Sequence, residues 1–281
     1  MDNVQIKHHL QVVIVLYKCN ITKSESLKSI SKIKNDLTKL FDLDILIYNN
    51  DSQTQIPQQP NYQIYNSPYN TMLSGAYNYA LKLAIDKQIQ WLLLLDQDTT
   101  LTFQYFKELH NALTNISENT ACITPIIIAN NKQISPLKYN PTIGPKWFLQ
   151  PVSSGTHNTC LYAFNSATLI NTSAISSIGG FPNEFPLDDL DICYFYRLYQ
   201  KGYNTHVLPA KIEHQLSILN YNNMSTQRYQ SILDYDKLMA KEIGKTAQIA
   251  LTLRVIIRAV MQLFSPIKRK YTLQTIKSIV K

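Results

Sequence analysis

The chain has 281 residues, 45% of them apolar and 16% charged, which fits one large α/β core with a small appendage and excludes a disordered chain. It has only seven glycines and no glycine-rich phosphate loop, which argues against the P-loop and dinucleotide fingerprints. The net charge of +8 sits at the end: residues 1–244 balance 19 basic against 19 acidic side chains, and every charge beyond Glu242 is positive, so the basic balance describes a tail and not a nucleic-acid-binding body.

Four scattered cysteines, Cys19, Cys122, Cys160 and Cys193, form no C-x-x-C pair and fit a reducing cytoplasm. The apolar run Leu10–Leu16 is too short for a signal anchor and reads as a first strand over residues 10–17. Leu27, Ile30, Ile33, Leu37 and Leu40 then recur at helical spacing. A second strand over 44–48 runs into the polar turn Asn49-Asn50-Asp51-Ser52. A loop over 53–61, a short strand over 62–65 and a helix over 71–87 follow.

Trp91-Leu-Leu-Leu-Leu95 reads as a strand buried on both faces, the fourth in a β-α-β-β-α-β order that predicts a parallel nucleotide-binding half. Beyond it the pattern predicts a helix over 103–115, a strand over 121–128, an irregular proline-rich stretch over 130–152, and strand then helix over 161–170. A helix over 192–200 closes at Arg197 and Gly202, and a last strand ends at His214.

The fourth strand stops at Asp96-Gln97-Asp98. If the chain stays extended, Asp96 and Asp98 point to one side. Two neighbouring carboxylates repel, and a divalent cation is the usual compensation. In open α/β sheets ligands bind beyond the carboxyl ends of the strands. The same spacing recurs at Asp42/Asp44, Asp189/Asp191 and Asp234/Asp236; the first and last of these lack a preceding apolar run and read as solvated pairs.

The order of these motifs resembles the inverting family 2 glycosyltransferases of the GT-A fold, and within them a bacterial rhamnosyltransferase-like branch. The residues that carry it are Val13–Tyr17, Asn49–Ser52, Asn70–Asn78, Leu95–Asp98, Ser153-Ser154-Gly155, Leu190-Asp191 with Arg197 and Gly202, and His214. Met72 stands where a glycine is common, and Asn49 where many members have Asp.

The resemblance implies an α/β GT-A domain over residues 1–240, a Rossmann-like and mostly parallel sheet flanked by helices. The loop at Leu16 and Tyr17, together with Asn49, Asp51, Ser52, Asn78, Asp96 and Gln97, would hold a nucleoside diphosphate sugar. Asp98, Asp96 and His214 would hold Mg²⁺ or Mn²⁺. Ser154, Gly155 and Asp189 would face the sugar or the acceptor. Apart from the resemblance, Trp147 in the irregular proline-rich segment reads either as lining an acceptor site or as a loop anchor.

Inversion needs a carboxylate to take the acceptor proton. Asp188, Asp189 and Asp191 compete for that role; spacing to Arg197 favours Asp191, with Asp188 in reserve. On a helix Asp188 and Asp191 would share a face. The plainer reading is that these acids stabilise a helix N-terminus.

Residues 241–281 predict an amphipathic basic helical segment. Ile249–Phe264 is apolar apart from Arg254 and Arg258, too short and too charged to span a bilayer readily. It fits an interfacial helix with Lys268-Arg269-Lys270 drawn to anionic lipid; packing on the domain or in a homodimer is the alternative.

The expected protein is therefore a metal-dependent hexosyltransferase, cytoplasmic and peripheral on the inner face of the plasma membrane. It would move rhamnose from dTDP-rhamnose to a bacterial surface glycan, including a lipid-linked one. The rivals are a UDP-galactose or galactofuranose-type transferase and a silent nucleotide-sugar-binding scaffold.

Overall fold

The structure, a computed structural model, describes residues 7–145, 147–213 and 224–280. It divides into two compact units, Met1–Leu137 with Pro151–His214, and Lys138–Gln150 with Gln215–Lys281.

The first unit begins with β1 (His8–Leu16), α1 (Glu25–Lys32), α2 (Lys34–Leu40), β2 (Phe41–Asn49), β3 (Gln63–Asn66), α3 (Met72–Asp86) and β4 (Trp91–Asp96). It continues with α4 (Phe103–Asn115), β5 (Thr120–Ala129) and β6 (Lys132–Ser135). The chain then passes the two-residue strands β7 (Leu137–Lys138) and β8 (Gln150–Pro151). Beyond them come β9 (Gly155–His157), β10 (Leu161–Tyr162), β11 (Thr168–Asn171), α5 (Thr172–Ser177), α6 (Leu190–Gln200) and β12 (Asn204–Glu213).

Among the described residues nine strands form one sheet, in the order β3-β2-β1-β4-β11-β5-β12-β9, with β6 paired to the far end of β5. β1 runs parallel to both β2 and β4. Val12, Val13, Ile14, Leu92, Leu93 and Leu94 are fully buried, as expected for strands covered on both faces. Because the chain leaves β1 toward β2 and β3 and returns to its other side as β4, the order reverses between β1 and β4. Such a switch point opens a crevice at the carboxyl ends of the two strands.

Two local expectations change. The helical spacing from Ile21 to Leu40 becomes two helices broken at Ile33, whose ψ of 9° leaves the helical region. Residues 161–170 do not run from strand into helix. Thr168–Asn171 is a strand, antiparallel to both β4 and β5, and the helix starts at Thr172, where Asn171 Oδ1 accepts the Ala174 N–H at 3.0 Å. All four β11 residues are buried, and a short continuous apolar run does not distinguish strand from helix by period.

The second unit contains α7 (Thr226–Ile243), α8 (Lys245–Leu263) and α9 (Thr272–Val280). The sequence places α7 with the first 240 residues; here it packs against α8 and α9. Asp236 is not a solvated acid: its side chain is 3% exposed, with the Nη2 atoms of Arg254 and Arg258 each 3.5 Å from its Oδ2. A carboxylate can be held inside such a small bundle only with this compensation.

Candidate functional site

The crevice between β1 and β4 is built by hydrogen bonds that fix the turn after β4. The strand ends at Asp96, and Gln97 and Asp98 lie in a turn. The alternation that would aim Asp96 and Asp98 to one side therefore stops two residues short of Asp98. Gln97 Oε1 accepts the Tyr17 backbone N–H at 3.0 Å, joining the ends of β1 and β4. The Gln97 carbonyl accepts from the Glu25 N–H at 2.9 Å and the Ser24 hydroxyl at 3.0 Å. The Ser26 hydroxyl is shared between the carbonyls of Asp96 and Thr99. The turn is thus seated on the N-terminus of α1, where unpaired backbone donors need acceptors. Asp98 is exposed, Leu16 is buried, and Tyr17 is 44% exposed at the rim.

The turn after β2 is largely self-contained. Asn49 Nδ2 donates to the Thr54 carbonyl at 2.7 Å and to Asn66 Oδ1 at 2.9 Å, and Asn49 Oδ1 accepts the Asp51 N–H at 3.1 Å. Asp51 accepts from the Gln53 N–H at 3.1 Å and the Thr54 hydroxyl at 2.8 Å. These are Asx-type contacts that shape a loop. Ser52 is exposed. The neighbour Asn50 does more to organise the site: its Oδ1 accepts the Thr71 N–H at 2.8 Å and its Nδ2 donates to the Met72 carbonyl at 2.9 Å.

Asn50 thereby holds the start of α3, where Met72 takes φ 57°. That left-handed backbone is one glycine adopts readily. The Pro186 carbonyl accepts from the Leu73 and Ser74 N–H groups at 2.9 and 3.1 Å, binding the acid-rich segment 184–191 to the N-terminus of α3. Asn78, one helical turn on, clasps the chain just ahead of that segment. Its Nδ2 donates to the Phe181 carbonyl at 2.8 Å and its Oδ1 accepts the Phe181 N–H at 2.9 Å. A Cβ on Gly180, at φ 87°, would stand 2.7 Å from that Oδ1, so the close approach requires glycine. Expected on a nucleotide, Asn78 is engaged on Phe181.

This docking places the second acid cluster. α6 begins at Leu190, and Asp189 before it is left-handed at φ 55°. Asp188 therefore precedes the helix and shares no helical face with Asp191. Asp188 is buried, while Asp191 is half-buried in the first turn with its Oδ1 accepting the Ile192 N–H at 2.9 Å. Farther along α6, Arg197 pairs with Glu184 at 2.6 Å. Desolvation raises the Glu184 pKa, but its backbone hydrogen bond and Arg197 outweigh it and hold the carboxyl below its usual range.

Asp96 and Asp191, 95 positions apart, come into one neighbourhood around two buried tyrosines. Burial first, then the charges of Asp96 and Asp191, push the Tyr77 hydroxyl well above the usual phenol range. Burial also dominates at Tyr194, with Cys122, Asp191, Tyr77 and Asp96 adding to it. Tyr194 donates to Asn165 Oδ1 at 3.0 Å, and the next residue, Ser166, donates its hydroxyl to Asp96 Oδ2. Among the described residues the Tyr77 hydroxyl has no hydrogen-bond partner, an unusual state for a buried donor. Tyr77, Asn165, Ser166 and Tyr194 escape a reading of the sequence because only the fold brings them to Asp96.

Ser154 is exposed, and Gly155 opens the edge strand β9 with φ 124° and nothing within 4 Å of where a Cβ would stand. Trp147 belongs to the second unit, its ring centroid 5.8 Å from that of Phe148. His214, the expected further metal ligand, lies outside the described residues. Among the described residues no three His, Cys, Asp or Glu side chains group as a metal centre. The pair Asp96 and Asp98 fits in kind a hard cation that takes most of its ligands from phosphate and water.

No family model matches the sequence, and no curated protein matches it. Among solved structures, the chain is similar to residues 1–349 of S. aureus TarS at 14% identity and TM-score 0.51, over 86% of this chain and 68% of that one. It is also similar to the longer S. aureus TarS structure at 12% identity and TM-score 0.50, over 91% of this chain. It spans 42% of the length of that longer chain. The likeness is one of fold: a mostly parallel nine-stranded sheet flanked by helices in the GT-A arrangement.

Proposed function

We propose that the protein is an inverting glycosyltransferase that uses a nucleoside diphosphate sugar. The observation that carries this reading is the hydrogen-bonded docking of the segment ahead of α6, which bears Asp191, on α3 through Pro186 and Asn78, with Asp96 at the end of β4 beside the crevice between β1 and β4. Two acids from separate elements, at the carboxyl end of a GT-A sheet, suit a reaction that needs one carboxylate for the donor and another for a proton.

In this reading Asp191 accepts the proton of the acceptor hydroxyl, whose oxygen attacks the anomeric carbon from the side opposite the diphosphate. The bond from that carbon to the diphosphate oxygen breaks, and the nucleoside diphosphate leaves with the electron pair. Asp98 and Asp96, with His214, would hold Mg²⁺ or Mn²⁺, which supplies positive charge for the leaving diphosphate. Tyr17 and the rim of the Asn49–Ser52 turn would face the base and ribose. Ser154 and Gly155 would give the sugar a side free of bulky groups.

The donor within this class is dTDP-rhamnose, with UDP-galactose or UDP-galactofuranose as the alternative. The acceptor is a surface glycan, including a lipid-linked one. The test is a panel of UDP, dTDP and GDP sugars followed by calorimetric binding and donor hydrolysis, with Mn²⁺, with Mg²⁺ and with a chelator. A chain that binds none of these donors under any of the three conditions refutes the reading.

A further inference from the structure

The C-terminal helical unit buries an apolar set, including Leu233, Met239, Val255 and Ala259, together with a polar network. In that network Gln262 Nε2 donates to the Tyr229 hydroxyl at 2.7 Å, and Thr275 Oγ1 lies 2.8 Å from both Gln262 Oε1 and the Tyr229 hydroxyl. Arg254 and Arg258 face inward onto Asp236. α8 also turns a run of apolar side chains outward: Ile249 is 64% exposed and Met261 67%, with Leu253 and Ile257 between them on the same side, and Phe264 just past the helix is 82% exposed. Leu273 of α9 adds to this surface at 60% exposure.

A soluble helix places such residues inside, and contiguous exposed apolar surface marks an interaction site. The surrounding charge selects the occupant. Beyond Glu242 the sequence has no acid, and Lys245, Lys268, Lys270 and Lys277 are exposed. α7, α8 and α9 also enclose a cleft of about 300 Å³ in which Lys237 and Lys241 stand beside Leu251, Val255 and Ile279, a lining suited to an amphiphilic anion. Apolar surface ringed by cations matches a bilayer whose surface is negative.

We infer that α8 and α9 dock the protein on an anionic lipid surface through the outward apolar face, with the lysines at the headgroups and the two arginines withheld from lipid by Asp236. It is independent of the reaction proposed above.

The test is co-sedimentation of the full chain with phosphatidylglycerol/phosphatidylcholine vesicles and with phosphatidylcholine vesicles alone. The wild type is expected to pellet with the first and stay in solution with the second. The Leu253→Gln/Ile257→Gln variant is expected to lose at least about tenfold in vesicle affinity while keeping its circular dichroism and melting temperature, because it alters only exposed positions. Lys245→Gln/Lys277→Gln is expected to weaken binding and reduce its salt dependence. Failure of the wild type to pellet with anionic vesicles overturns the inference. So does a dimer in sedimentation velocity that Leu253→Gln/Ile257→Gln dissolves while vesicle binding stays unchanged.

Discussion

The hydroxyl of Ser166, two residues before β11, donates to the Asp96 carboxylate at the end of β4. An acid beside a switch-point crevice is thereby oriented by a residue 70 positions away in the chain. Orientation of this kind is usually worth about 10–100-fold when the supporting group is removed. Ser166→Ala is expected to lower kcat/KM for the donor by about that factor and to cost only about 1 kcal/mol of stability. Chemical denaturation and donor kinetics on the same preparation separate the two effects. A stability loss without a kinetic one would make Ser166 purely structural.

Tyr77 offers a sharper separation. Its hydroxyl is buried and unpartnered among the described residues, so Tyr77→Phe is expected to stabilise the donor-free protein by about 1–3 kcal/mol, the usual cost of an unsatisfied buried donor. The same change is expected to lower turnover, because Tyr77 lies in α3, on whose N-terminus the segment bearing Asp191 docks. A more stable and equally active variant would assign Tyr77 to packing alone.

For the base, Asp191→Asn is expected to reduce transfer by about 10²–10⁴-fold while donor affinity, read by calorimetry, stays within about twofold of wild type. Asp188→Asn is expected to act mainly on stability, since Asp188 is buried ahead of α6. The reverse pattern of kinetic and stability losses would move the role to Asp188.

In the helical unit, Asp236→Ala leaves Arg254 and Arg258 facing an empty buried position. Breaking one side of a buried charge cluster costs about 3–5 kcal/mol, so the unit is expected to melt first. Protease mapping should find new cleavage within α7 to α9 and leave the sheet intact.

Stability is expected to fall as the solution is acidified through the histidine range. Burial, followed by His110, lowers the pKa of His8, and burial, followed by His157, lowers that of His206. Both bind protons more readily when unfolded, where their value is near 6.5. Their contribution is therefore complete above that pH and is lost as pH falls through the lower folded values. Melting temperatures at about pH 7.5 and about pH 5.5 measure it, and His206→Gln should flatten the difference.

Much of this protein can be read from its sequence because the relevant physics is local. The apolar runs of β1 and β4, the abrupt stop at Asp96, the helical spacing of α4 and α6 and the acid-free tail each follow from residues within one short window. The turn Asn49–Ser52 is legible for the same reason, since Asn and Asp shape their own backbone two residues on. Only the tertiary structure decided which groups meet. It ended the β4 strand two residues before Asp98, put β11 between β4 and β5, committed Asn78 to Phe181 and docked the segment bearing Asp191 on α3 through Pro186. It also turned Arg254 and Arg258 inward onto Asp236 and left Ile249, Leu253 and Phe264 outward. The period of a helix names its two faces; which one is buried depends on what the neighbouring helices can neutralise.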